Sequence, residues 1–210
     1  FSHSERETIY FDKDSQFTYD AENKRYVYLC DGQELVYKLS EDEHSNNGLI
    51  ALKVKMSDSI YDNYIFQCKD ENNNTLGLFR SYSDKKIYVE VNGTHISTGL
   101  SIEDNNWHFI ALTWSKIVSS SSLYAYAYSL RIQLDDDIIS RNSYVNSIYG
   151  NLMVSLGRQY DYFNETCLPL YGYIEMLITG NSYAANATLT VLKEKISSFV
   201  GFGNSIKKAI

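Results

Sequence analysis

Arg158-Gln159-Tyr160-Asp161-Tyr162-Phe163-Asn164 gathers in seven residues the groups that carbohydrate recognition uses. Aromatic faces stack on sugar rings, while guanidinium, carboxylate and amide groups meet the hydroxyls. The run follows Gly157 at the end of an alternating segment, where the loops of a β-sandwich collect at a rim. Arg158, Tyr160, Asp161, Tyr162 and Asn164 are therefore the first candidate ligand-binding residues. Tyr61-Asp62-Asn63-Tyr64 repeats the combination and adds Tyr61 and Tyr64. The chain carries 19 Tyr, but Tyr is a good strand former, so abundance alone assigns no site. Asp135-Asp136-Asp137 places three carboxylates side by side. They read as a solvated hairpin turn or, more weakly, as calcium ligands, because calcium takes about six to eight oxygens from several segments.

Catalytic patterns are missing. A sandwich glycosidase needs two carboxylates in register on one strand, as in a Glu-x-Asp-x-x-Glu run, one serving as nucleophile and one as general acid. Glu103-Asp104 instead precedes a turn, and Glu175 stands alone among apolar neighbours. The sequence has no GxSxG elbow, HExxH pair or glycine-rich phosphate loop. His3, His44, His95 and His108 lack metal-ligand spacing, and His108 beside Trp107 reads as a packing residue. Cys30, Cys68 and Cys167 are widely spaced without a CxxC pair, which disfavours a zinc or redox centre. A Cys68–Cys167 bridge is one reading; a small buried apolar role for Cys68 is the other. The expectation is a protein that is not an enzyme and needs no cofactor, calcium apart.

The chain of 210 residues is 44% hydrophobic, enough for one good core. We expect a single domain over residues 1–200 and a fraying tail or linker over 201–210. With 19 basic and 26 acidic residues the formal net charge is -7, a field that repels nucleic acid and anionic membranes. No apolar run reaches the roughly 18–20 residues of a membrane span, and Phe1 to Tyr10 has no signal-peptide pattern. The absence of an initiator Met suggests a segment excised from a larger multidomain protein.

The elements that must hold the candidate residues are mostly strands. Ile50, Leu52, Val54 and Met56 share one face of Leu49–Met56, with Lys53 and Lys55 turned to water. Ile87, Val89 and Val91 alternate up to Asn92-Gly93, a pair suited to a tight turn. Tyr124, Tyr126, Tyr128, Leu130, Ile132 and Leu134 form the longest alternation, followed by the Asp triplet and a resumed strand at Ile138. Leu152, Val154 and Leu156 mark another strand, and Ile174, Met176 and Ile178 a later one. Tyr26 to Leu39 reads as a hairpin about Asp31-Gly32. Thr188 to Phe199 predicts the one helix, with Leu189, Leu192, Ile196 and Phe199 on one side. Many strands with one late helix predict an all-β, two-sheet antiparallel sandwich.

Trp107-His108-Phe109-Ile110-Ala111-Leu112-Thr113-Trp114 resembles the central strand of laminin-G-like and concanavalin-A-like jelly rolls. Cys30-Asp31-Gly32, Gly48 to Lys55, Leu130 to Ile138, Gly172 to Met176 and Leu189 to Ile196 resemble other elements of that pattern in the same order. Asp136-Asp137 stands where the pattern usually has Asp-Gly. The resemblance implies a jelly roll with one short helix near the C-terminus, its Trp-bounded strand in the core. It also implies an extracellular or cell-surface binding or adhesion module, recognising a glycan or a glycosylated or protein partner through rim loops. The alternatives are a spacer or assembly domain of an adhesin, toxin or appendage, and a fragment of a glycan-active enzyme.

Overall fold

The structure is a computed structural model that describes residues 17–21, 25–30, 35–39, 41, 47–118, 126–143, 148, 150–158, 170–180 and 186–197. Among these, the chain forms β1 (Phe17–Asp20), β2 (Arg25–Cys30), β3 (Leu35–Leu39), β4 (Asn47–Met56), β5 (Asn63–Asp70), β6 (Thr75–Arg80) and β7 (Lys86–Val91). Then follow β8 (Thr94–Ser101), β9 (Trp107–Val118), β10 (Tyr126–Leu134), β11 (Asp137–Ser143), β12 (Leu152–Leu156), β13 (Gly172–Gly180) and the helix α1 (Asn186–Ser197). A seven-stranded sheet runs β1-β2-β13-β4-β9-β10-β11, and a six-stranded sheet runs β3-β12-β5-β6-β7-β8. Every pairing is antiparallel. The expected all-β sandwich with one short helix is the fold observed.

Alternation decides which side chains meet between the sheets. Ile50, Leu52, Val54 and Met56 of β4, Ile110, Leu112 and Trp114 of β9, and Leu130 and Ile132 of β10 supply one wall. Cys68, Leu76, Leu78, Ile87, Val89, Leu152 and Val154 supply the other. Trp114 fits because its partner across the ladder is Gly48, where any Cβ would overlap the indole. Asn92 and Gly93, both at positive φ, make the expected tight turn between β7 and β8. Arg141 of β11 donates from Nε to Ser97 O (3.0 Å) and from Nη2 to Thr98 O (2.7 Å) of β8, stitching the edge strands of opposite sheets.

Two expectations are corrected. Tyr26 to Leu39 is not a hairpin, because β2 pairs with β1 and β13 while β3 pairs with β12 in the other sheet. Alternation is the same for a hairpin and for a chain that crosses the sandwich, so the pattern could not separate them. Ile174, Met176 and Ile178 do not share a face, because β13 shifts register between Glu175 and Leu177. The bulge leaves Ile174 and Leu177 against the core and turns Ile178 to the outside.

That outside face sets up the site. Leu49, Ala51, Phe109 and Ala111 have the parity opposite to the core, and α1 covers them with buried Leu189 and adjoining Leu192. The helix begins two residues earlier than its apolar spacing predicts, and Phe199 lies outside the described residues. Among the described residues, only one end of the outer face is covered in this way.

Candidate functional site

Past the helix, the outer face of the seven-stranded sheet bears the ladder row Trp107–Lys55–Tyr173, contributed by β9, β4 and β13 in turn. These three line a groove of about 280 Å³ with Thr18, Tyr19, Asp20, Ala21 and Val27 of the β1–β2 edge. The volume is just below the roughly 300–1,000 Å³ of small-molecule sites. Tyr19 is 52% exposed, and Trp107 and Tyr173 are half-buried. One rung along, Lys53 lies 6.0 Å from the Trp107 ring centroid and 3.4 Å from Glu175 Oε2. Glu175 is buried and pairs with Lys53, its ladder partner.

Trp107 is positioned from both sides in sequence. Asp104 Oδ1 accepts Asn106 N (2.9 Å) and contacts His108 Nε2 (2.8 Å), closing the turn that enters β9. His108 Nδ1 meets Asp135 Oδ2 at 2.7 Å, and Asp135 Oδ1 accepts Phe109 N at 2.9 Å. The Asp135 hydrogen bond, opposed by burial and helped by Asp104, raises the His108 pKa above its ordinary value. Burial pushes Asp135 up, but the His108 and Phe109 donors more than offset it and leave its carboxyl lowered. The Asn106 N–H and then His108 lower Asp104. His108 is thus a two-carboxylate clamp rather than the packing residue its neighbourhood suggested.

The Asp triplet is a two-residue turn, Asp135 at positive φ and Asp136 following it, with Asp137 already paired to Leu134. Its carboxylates diverge: Asp135 goes to His108 and Asp136 to Lys193 of α1 (2.5 Å). Calcium ligation by Asp135, Asp136 and Asp137 therefore does not fit. Among the described residues no cluster of His, Cys, Asp or Glu could hold a metal.

Of the other expected site residues, Tyr61 is exposed on the loop between β4 and β5, its N–H bonded to Ser59 Oγ (3.0 Å). Tyr64 is not a rim residue. It belongs to β5, is 3% exposed and stacks on Phe79 at 5.0 Å, with Tyr88 on the far side of that ring at 5.4 Å. Arg158 is half-buried just after Gly157, whose positive φ turns the chain out of β12. Tyr160, Asp161, Tyr162 and Asn164 lie outside the described residues, as does Cys167. Cys68 is free and fully buried, and burial pushes its thiol up, which makes it an inert core residue.

The residues that sequence reasoning missed are Trp107, Tyr173, Tyr19 and the part played by Lys55. A signal existed: Trp107 and Trp114 are seven residues apart, an odd separation that sends them to opposite faces of a regular strand. Lys53 and Lys55 marked the open face, and Trp107 shares it.

No protein-family model matches the sequence, and no curated protein matches it by sequence. The fold is similar to that of domain 4 of AbnA, an extracellular GH43 arabinanase from Geobacillus stearothermophilus, solved in complex with arabinotriose. That match has a TM-score of 0.62 and 14% identity over 86% of this chain and 82% of the other. It is also similar to Trypanosoma rangeli sialidase in complex with 2,3-difluoro-KDN, at TM-score 0.59 and 10% identity over 85% and 28% of the two chains. A third similarity is to botulinum neurotoxin type C, at TM-score 0.55 and 8% identity over 86% and 45%. The chain thus spans less than half the length of the sialidase and neurotoxin chains. These likenesses concern the fold alone, a jelly-roll β-sandwich.

Proposed function

We propose that this chain is a non-catalytic glycan-binding module of a larger extracellular or cell-surface protein, and that the groove of Tyr19, Trp107 and Tyr173 is its binding site. The observation that carries the proposal is the groove itself: the aromatic side chains of Trp107 and Tyr173 with Lys55, Asp20 and Thr18 on an outer sheet face, past the end that the helix covers. Aromatic rings bury the apolar face of a sugar, and the polar groups select hydroxyl positions. The fold neighbours support this reading by what they are: an arabinanase domain holding arabinotriose, and a neurotoxin whose cell entry depends on interaction with two ganglioside molecules. Residues 1–200 are proposed as one such domain. Arg158 and its loop, with Tyr61, remain proposed rim contacts.

A shallow groove gives weak single-site affinity, so function would rest on several copies or neighbouring domains. The test is a glycan array followed by calorimetry on the best binders. Trp107→Ala and Tyr173→Ala are expected to lower affinity at least tenfold each, a stacking loss of about 1.4 kcal/mol or more. Undiminished binding by both variants would remove the groove as the site.

A second reading, a protein-docking domain, draws on the sandwich end that carries exposed Ile60, Tyr61, Tyr82 and Tyr171. The loops there are braced by Tyr82 N to Asp62 Oδ1 (2.9 Å) and Ser57 N to Tyr171 O (2.7 Å). Loss of a protein partner on Ile60→Ser with glycan binding absent throughout would favour it.

A further inference from the structure

We infer that the groove selects acidic sugars, and that Lys55 is the residue that selects them; this rests on the glycan-binding reading of the same groove. Lys53 and Lys55 of β4 share this sheet face, and only Lys55 lines the groove. Lys53 is held by Glu175 at 3.4 Å. Lys55 has no ion pair, hydrogen bond or ring contact with any carboxylate or aromatic group among the described residues. Among the described residues the one carboxylate on the groove wall, Asp20, is on β1, three strands away from β4 in the order β1-β2-β13-β4. At about 4.8 Å per strand that is roughly 14 Å, well beyond an ion pair.

Among the described residues the groove therefore contains one uncompensated ammonium, on a chain whose overall charge is -7. Its place is specific. Lys55 is the direct ladder partner of both Trp107 and Tyr173. Directly opposed side chains in adjacent antiparallel strands have Cβ atoms about 4.5–5.5 Å apart. A pyranose stacked on either ring would bring a ring substituent within reach of the ammonium. A neutral hydroxyl there gains one hydrogen bond, whereas a carboxylate or sulfate gains a charge-assisted one in a half-buried place. The ligand class is an oligosaccharide with a carboxylate- or sulfate-bearing sugar, recognised by a ring–cation–ring row.

The test compares three probes with the full chain: an oligosaccharide ending in glucuronic acid, its neutral glucose-ended counterpart, and a sulfated counterpart, at low and high salt. Wild type is expected to prefer one or both acidic probes over the neutral one by about tenfold or more, a preference that shrinks with salt. Lys55→Ala should remove the preference, bringing the acidic and neutral probes to about the same affinity, and Lys55→Arg should retain most of it; unchanged melting curves confirm that both variants fold. The acidic probe that is held separates carboxylate from sulfate. Equal binding of neutral and acidic probes, unaffected by Lys55→Ala but abolished by Trp107→Ala, overturns acid selection and leaves glycan binding standing. An array on which neither neutral nor acidic glycans are held overturns both.

Discussion

His108 engages two carboxylates at once, and its protonation state therefore matters to the fold. Its raised pKa means that the imidazolium is favoured by folding. That stabilisation is complete below the unfolded value of ~6.5 and is lost as pH rises through the higher folded value. The lowered carboxyls of Asp104 and Asp135 act in the opposite direction, stabilising above the ordinary carboxylate range and failing as pH falls through their depressed values. The clamp is therefore strongest in the mildly acidic window between the two. Chemical denaturation of His108→Ala across pH should show a deficit of about 1–2 kcal/mol near pH 5.5, shrinking in alkali. A pH-independent deficit would mean that His108 only packs. Single side chains were the least legible level in the sequence. Asp104, His108 and Asp135 are 4 and 27 residues apart by number. Only the antiparallel return of β10 to β9 brings the last of them into contact, and no local pattern reports it.

At the level of elements, periodicity carried most of the information because inside and outside differ chemically along every strand. The faces of β4, β7, β10 and β12 are those their alternation predicts. What alternation cannot report is the partner of a strand or an inserted residue, so the crossing between β2 and β3 and the bulge in β13 were invisible. The bulge matters, because it moves Ile178 under α1 and so helps seat the helix. Removing the main anchor, Leu189→Ala, is expected to cost about 2–4 kcal/mol by urea unfolding, as for other fully buried leucines. Gly48→Ala should cost at least as much, because the indole of Trp114 has no room to retreat within the core. A Gly48→Ala protein as stable as wild type would show that Trp114 can repack.

For the whole molecule, sheet order joins distant parts of the chain. β13 enters between β2 and β4, in the middle of the seven-stranded sheet. Tyr173 reaches the groove, and Glu175 reaches Lys53, only through that insertion. A chain ended at Leu170 should thus lose both the cooperative thermal transition by circular dichroism and any glycan binding. A sharp transition in that truncated chain would show the two halves of the sheet to be independent. The jelly-roll class was legible because many short alternating segments with one late helix have few architectures open to them. The site was less so, since a groove is made by which faces remain uncovered, and that depends on where α1 comes to rest.

The central place of β13 also bears on how the protein is made. As the chain leaves the ribosome, β2 and β4 are synthesised more than a hundred residues before the strand that will separate them. At about 5–20 residues per second, their facing edges stay unpaired for several seconds at least, with backbone donors and acceptors open to any neighbouring strand. Successful synthesis then depends on what shields those two edges in the meantime, and a crowded polysome is where this fold is most exposed to mispairing.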